Sequence, residues 1–192
     1  MSRRPILVIF VGVPGSGKTT FASQIAEALH AVLLNSDSLR FSMWGSLPAI
    51  REHHTDAIER SYNNQLTFGA LDYTAGQIIK SGNDVVYDCN ANTREERRKM
   101  ADVVSRFGGR GIVVRIQTPV DVAVQRLAGR DAADGQTNHS FESATAAVGH
   151  YSKQIEEPTT SEFIIQIDGR QDFELQYQSF TTQLDMIIEK ID

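Results

Sequence analysis

The sequence predicts an α/β fold in which a parallel sheet is covered by helices on both faces. Three observations carry that expectation. Short β-branched apolar runs alternate with longer amphipathic stretches along the chain. The runs lack the strict apolar–polar alternation of a half-exposed sheet. The first run also passes directly into a glycine-rich loop, and the loop into a helical pattern.

In order, strands are expected at about 6–11, 31–34, 84–88, 111–117 and 163–167. A first helix follows the glycine loop over about 18–30. The stretch 48–80 reads as two helices, stopped by Ser81-Gly82. A helix over 93–107 opens on Thr93 and Glu96, the spacing of a capping box, and stops at Gly108-Gly109. Helices over 120–129, after Pro119, and 172–190 complete the set. Residues 129–140 are polar and contain glycine, which fits either a solvated loop or a small lid over a ligand.

The chain has 192 residues, 41% hydrophobic and 22% charged, which suits one domain across 1–192 with a proper core. No run approaches 18 apolar residues, so no membrane span is expected. Arg3-Arg4 followed by the apolar run from Ile6 superficially resembles a targeting segment. The run is short and leads into the glycine loop, so a buried strand is the better reading. One cysteine, Cys89, excludes an internal disulfide, and a cytoplasmic location is expected, with Asn138-His139-Ser140 a chance sequon. A net charge of −5 gives no general attraction to polyanions. Oligomeric state is not legible.

Gly12-Val13-Pro14-Gly15-Ser16-Gly17-Lys18-Thr19 has the spacing of a phosphate-binding P-loop. Glycines let backbone N–H groups point into an anion nest, and the following helix adds its N-terminal dipole. A nucleotide, expected to be ATP with Mg²⁺, would contact residues 12–20, including Thr20. Lys18 would reach the β- and γ-phosphates, and the Thr19 hydroxyl would ligate the metal.

Strand ends in such a sheet open onto the ligand crevice, which places Asp37 near this loop. Asp37 is a candidate general base for a hydroxyl acceptor, with Arg40 three residues on as an anion clamp. The alternative is a plain helix N-cap at Ser36 or Asp37. The apolar run ending in Asp88 resembles a Walker B strand, with Asp88 as metal partner of Thr19. Cys89 rather than Glu follows it, which argues against a motor ATPase, and Cys89 reads as a small buried residue. Arg126 and Arg130, four apart before the polar segment, could stabilise the transferring phosphate or form a solvated helix face.

Together these residues make the chain similar to the AAA-like P-loop kinases that group polynucleotide 5′-kinases with zeta-toxin kinases. The resemblance rests on Gly12–Thr19, Asp37 and Arg40, and Asp88-Cys89-Asn90 with Arg94, Arg97 and Arg98 downstream. Arg126 and Arg130, and Glu156-Glu157-Pro158 with Glu162, complete the ordered set. It implies a three-layer P-loop fold with a five-stranded parallel sheet of nucleoside-kinase type and a lid near 129–140. It further implies Asp37, Lys18 and Arg126 as catalytic, Arg130 on ATP as lid support, and Arg40 and Asn90 toward the acceptor. The favoured acceptor is a nucleic-acid or nucleotide 5′-hydroxyl; a small metabolite or sugar nucleotide is the alternative. The basic patch for a strand is weak, Arg40, Arg51, His53 and His54 among Glu52 and Asp56. Met43 and Trp44 could stack on a base or line the domain. A slow regulatory nucleotide switch is a further rival, weakened by the absence of guanine-reading motifs.

Overall fold

A computed structural model describes residues 3–53, 55–130 and 139–190. Its elements are β1 (Ile6–Val11), α1 (Lys18–Ala28), β2 (Val32–Asn35), α2 (Ser36–Trp44), α3 (Leu47–Glu52), α4 (Ala57–Lys80) and β3 (Val85–Asp88). There follow α5 (Arg94–Ser105), β4 (Arg110–Gln117), α6 (Val120–Ala128), α7 (Phe141–Gln154), β5 (Ile164–Asp168) and α8 (Phe173–Glu189). The five strands form one parallel sheet in the order β2-β3-β1-β4-β5.

All six residues of β1 are buried because the strand is central and covered on both faces. Ile6, Val8 and Phe10 face α1 and α8, where Phe10, Phe21 and Phe180 pack. Edge-on pairs in that cluster have ring centroids 6.1 to 6.4 Å apart. Each such pair adds roughly 1 kcal/mol beyond its area burial. Leu7 and Ile9 point the other way, against Leu71, Ile79, Met100 and Val104 of α4 and α5. Strand β2 runs along an edge, and its Val32 and Leu33 stay partly exposed.

The chain leaves β1 toward β2 on one side and later crosses to β4 on the other. β1 therefore sits at the reversal of strand order, where a crevice opens beyond the strand ends. Register brings specific side chains there: Asn35 lies opposite Asp88, and Gln117 opposite Asp168. A smaller apolar cluster beneath the loop after β1 joins Val13 to Ala123, Val124 and Leu127 of α6 and to Ala144 and Val148 of α7.

The 48–80 stretch is two helices as expected, and the Thr93–Glu96 capping box forms with both reciprocal bonds. Two expectations change. Helix α2 begins at Ser36, and its N-cap is Asn35, whose side chain accepts from the Ser38 N–H; neither Ser36 nor Asp37 caps it. Helix α6 ends at Ala128, so Arg130 stands beyond Gly129 rather than on one helix face with Arg126. Most of the 129–140 segment, with Asn138, lies outside the described residues, as does His54. Among the described residues no helix is long and apolar enough to cross a membrane.

Candidate active site

The loop from Gly12 to Gly17 wraps the N-terminus of α1. Gly15 and Gly17 have φ of +78° and +100°, conformations that L side chains rarely adopt. A Cβ on Gly15 would also run into the Ala123 carbonyl. Helix α1 has no side-chain cap and no acidic residue in its first turn. Its leading N–H groups are thus available to an anion.

Lys18 is buried and donates from Nζ to the carbonyls of Gly12 and Val13, at 2.7 and 2.8 Å. Burial pulls its ammonium down to about 8, and the nearby Arg130 and Arg115 act in the same direction against the attraction of Asp88. A phosphate group entering the nest would favour the charged amine.

Asp88 is buried beside Thr19. Its Oδ1 accepts from Thr19 Oγ1 at 3.4 Å, and its Oδ2 from Asn35 Nδ2 at 2.6 Å. Burial raises its pKa, and the Asn35 and Thr19 hydrogen bonds offset this only in part. A half-compensated carboxylate beside a hydroxyl, at the edge of a phosphate nest, suits a hard divalent cation that keeps several of its waters. The donor set therefore fits Mg²⁺. No cluster of three or more His, Cys, Asp or Glu exists among the described residues, so a site held by protein ligands alone is not formed there.

Asp37 projects from the first turn of α2 with its side chain 89% exposed. Arg40 Nη1 donates to Asp37 Oδ1 at 3.0 Å, and Nη2 to Asn64 Oδ1 at 3.1 Å. The guanidinium also lies over the Phe68 ring, 5.5 Å from its centroid. Arg40 is therefore held on three sides while remaining at the crevice.

Two connected cavities occupy this edge. The narrower, about 180 Å³, lies between the phosphate loop, Asp37, Asp88 and Asn90. The wider, about 620 Å³, is lined by Asp37, Arg40, Phe41, Ile50, Arg51 and Arg130, with His139 at its border. Both share Pro14, Thr19, Asn35, Asp37, Arg40 and Arg130.

Arg126 takes a different position from Arg130. Its Nη1 donates to the Gly169 carbonyl at 2.7 Å, beside Gly17 and across from the β5–α8 turn. Cys89 is buried, and burial pushes its thiol up, consistent with a packing role. Met43 and Trp44 do not line either cavity; the Trp44 ring packs on His53, with centroids 5.8 Å apart.

Two polar residues here escaped the sequence reading. Asn35 joins the Asp88 side of the site to α2, and its place just before a Ser-Asp pair was a usable capping signal. Asn92 accepts from the Gly12 N–H at 3.3 Å, a contact across 80 residues that no local pattern announces.

Comparison with known proteins finds kinases among the relatives. An adenylyl-sulfate kinase from Shewanella pealeana is 27% identical over 129 residues, 65% of this chain. The match spans little more than half of that relative, 57% of its length. A shikimate kinase from Corynebacterium glutamicum is 28% identical over 76% of this chain and 95% of its own. Among solved structures, a gluconokinase from Sinorhizobium meliloti superposes with a TM-score of 0.66 at 19% identity, covering 99% of this chain and 97% of that one. An APS kinase from Mycobacterium tuberculosis, in complex with AMPPNP and APS, gives 0.63 at 18% identity over 96% and 99%. These likenesses establish the three-layer P-loop fold with its parallel five-stranded sheet. The AAA domain family matches residues 7–158, most of the chain from β1 through α7, and the chain belongs to that family.

Proposed function

We propose that the protein is an ATP-dependent kinase that transfers the γ-phosphate to a hydroxyl of a small anionic metabolite. The observation that carries this is the cavity of about 620 Å³ beside the phosphate loop, lined by Asp37 together with Arg40, Arg51 and Arg130. Its size is that of a small-molecule site, commonly about 300–1,000 Å³. Three guanidinium groups and one carboxylate lining the same cavity favour an acceptor carrying at least one carboxylate, phosphate or sulfate.

This reverses the order of the two acceptors drawn from the sequence. A nucleic-acid strand needs a run of cations and stacking rings along a groove. Here Trp44 packs on His53, and His53 pairs with Glu59. The named relatives, adenylyl-sulfate and shikimate kinases, also act on small molecules.

In this reading the triphosphate lies in the nest of residues 12–20. Lys18 exchanges its carbonyl partners for the β- and γ-phosphates. Thr19 and Asp88 hold Mg²⁺, which supplies charge neutralisation when bound. Asp37 accepts the proton of the acceptor hydroxyl as that oxygen bonds to the γ-phosphorus and the bond to the ADP oxygen breaks. Arg40 orients Asp37 and grips the acceptor. Arg126, held by the Gly169 carbonyl beside Gly17, meets the phosphates from the nucleotide side, Arg130 supports it, and Asn90 lines the acceptor path. The whole of 1–192 acts as one domain.

The test is ATP turnover, followed as ADP release, with hydroxy-carboxylates and phosphorylated or sulfated hydroxy compounds on one side and 5′-hydroxyl oligonucleotides on the other. Stimulation by a small anion is expected. Phosphorylation of oligonucleotides alone, or brisk hydrolysis that no acceptor alters, would overturn the assignment.

A further inference from the structure

Arg97 is the largest fully buried side chain among the described residues, 1% exposed, and it lies outside the cavities lined by Lys18 and Asp37. A buried guanidinium carries a heavy desolvation cost unless its donors are met. Here every arm is used. Nε and Nη2 reach Glu162 at 2.5 and 3.3 Å, and Nη2 also donates to the Glu156 carbonyl at 2.9 Å. Nη1 donates to the carbonyls of Ala91 and Asn92 at 3.2 and 3.1 Å.

Those last two carbonyls belong to the loop between β3 and α5. The same loop rests on the end of β1 at two points. Ala91 N–H donates to the Phe10 carbonyl at 3.3 Å, and Asn92 Oδ1 accepts from the Gly12 N–H. Gly12 is the first residue of the phosphate loop, and its carbonyl is one of the two that receive Lys18. A second tie holds the same loop, since the Glu156 N–H donates to the Asn92 carbonyl at 2.9 Å. Glu162 is fixed in turn by the Thr159 N–H at 2.8 Å.

We infer that Arg97, acting through Asn92, is a positioning residue for the phosphate loop, so that ATP affinity depends on a partly buried ion pair outside the crevice. The inference rests on the nucleotide-binding reading of residues 12–20. The first glycine must offer a loop already shaped to the triphosphate, because any ordering on binding subtracts from affinity. Asn92 holds the Gly12 amide, and Arg97 holds the backbone carbonyl of Asn92.

The experiment is calorimetric titration of a non-hydrolysable ATP analogue with Mg²⁺ into wild type, Asn92→Ala, Arg97→Lys, the double variant and Lys18→Ala. Thermal melts accompany each. Asn92→Ala should weaken binding about 10-fold, the scale of one buried hydrogen bond. Arg97→Lys keeps the charge but loses the fork, and should weaken binding by several-fold. Because the two act in series, the double variant should bind no more weakly than Asn92→Ala alone. If Arg97→Lys does not fold, Glu162→Gln takes its place in the cycle. Binding by Asn92→Ala within about twofold of wild type, or effects that multiply in the double variant, would overturn the inference. Lys18→Ala separates the two failures: undiminished binding there sinks the phosphate-loop reading itself, whereas lost binding there with a neutral Asn92→Ala sinks only the positioning role.

Discussion

Under the proposed function the crevice has a donor half and an acceptor half, and the two are built differently. The donor half is a continuous stretch, Gly12 to Thr19, buried at Ser16 and Lys18 and backed by central β1 and the Val13 cluster. The proposed acceptor half is spread over α2, α3 and the segment just beyond α6, and its polar side chains range from exposed Asp37 to a largely covered Arg40. The donor half is thereby held rigid for a ligand whose triphosphate does not vary. Residues on short helices at the edge of the sheet can change without disturbing the core, which is where relatives with different acceptors would be expected to differ.

The sharpest way to break this contrast is Asp37→Asn. As an exposed base it should cost about 10²–10⁴ in kcat while leaving the melting temperature and ATP affinity nearly unchanged. Steady-state kinetics beside a thermal melt read both, and a large stability loss would place Asp37 in the framework instead.

Lys18→Met tests the opposite property, a donor half that sacrifices stability for charge. The folded-state value of about 8 lies below the ordinary 10.5, so between those limits the unfolded chain binds more protons and wild-type stability rises with pH. Below about pH 8 the buried charge costs at most roughly 3 kcal/mol. The variant should therefore lose turnover yet melt higher than wild type at pH 7, with the gain fading toward pH 10.5. A lower melting temperature across that range would show that the bonds to Gly12 and Val13 outweigh the desolvation.

Arg51→Ala should raise the KM of the small anionic acceptor about 10-fold, the scale of one charge-assisted contact, with KM for ATP unchanged. Equal changes in both would merge the halves. The smallest effect is expected at their junction. Asn35→Ala removes the α2 cap and the Asp88 contact together, costing about 1 kcal/mol of stability and shifting both KM values slightly.

Legibility followed the same division. The motif residues from Gly12 to Thr19 are contiguous, and contiguity is what a sequence displays. Asp37 and Asp88 are legible as candidates because each sits at or just past the end of an apolar run, and parallel strands bring such ends to one edge. The helix cap was misplaced by one or two residues because Asn, Ser and Asp all suit that position, and only the backbone turn at Asn35 selects among them. Arg126 and Arg130 were paired by spacing, but the helix stop at Gly129 sends them to different walls. The acceptor order changed because the cavity forms from α2, α3 and the end of α6, which have no shared pattern.

By itself, then, the sequence determined the layered α/β architecture, the phosphate loop and the carboxylates at the strand ends. These depend on apolar periodicity and on local backbone chemistry. Only the tertiary structure decided that Arg40, Arg51 and Arg130 line one small cavity, and that Asn92, backed by Arg97, reaches Gly12 across 80 residues. Such contacts depend on strand order and register, which close distances that spacing along the chain does not encode.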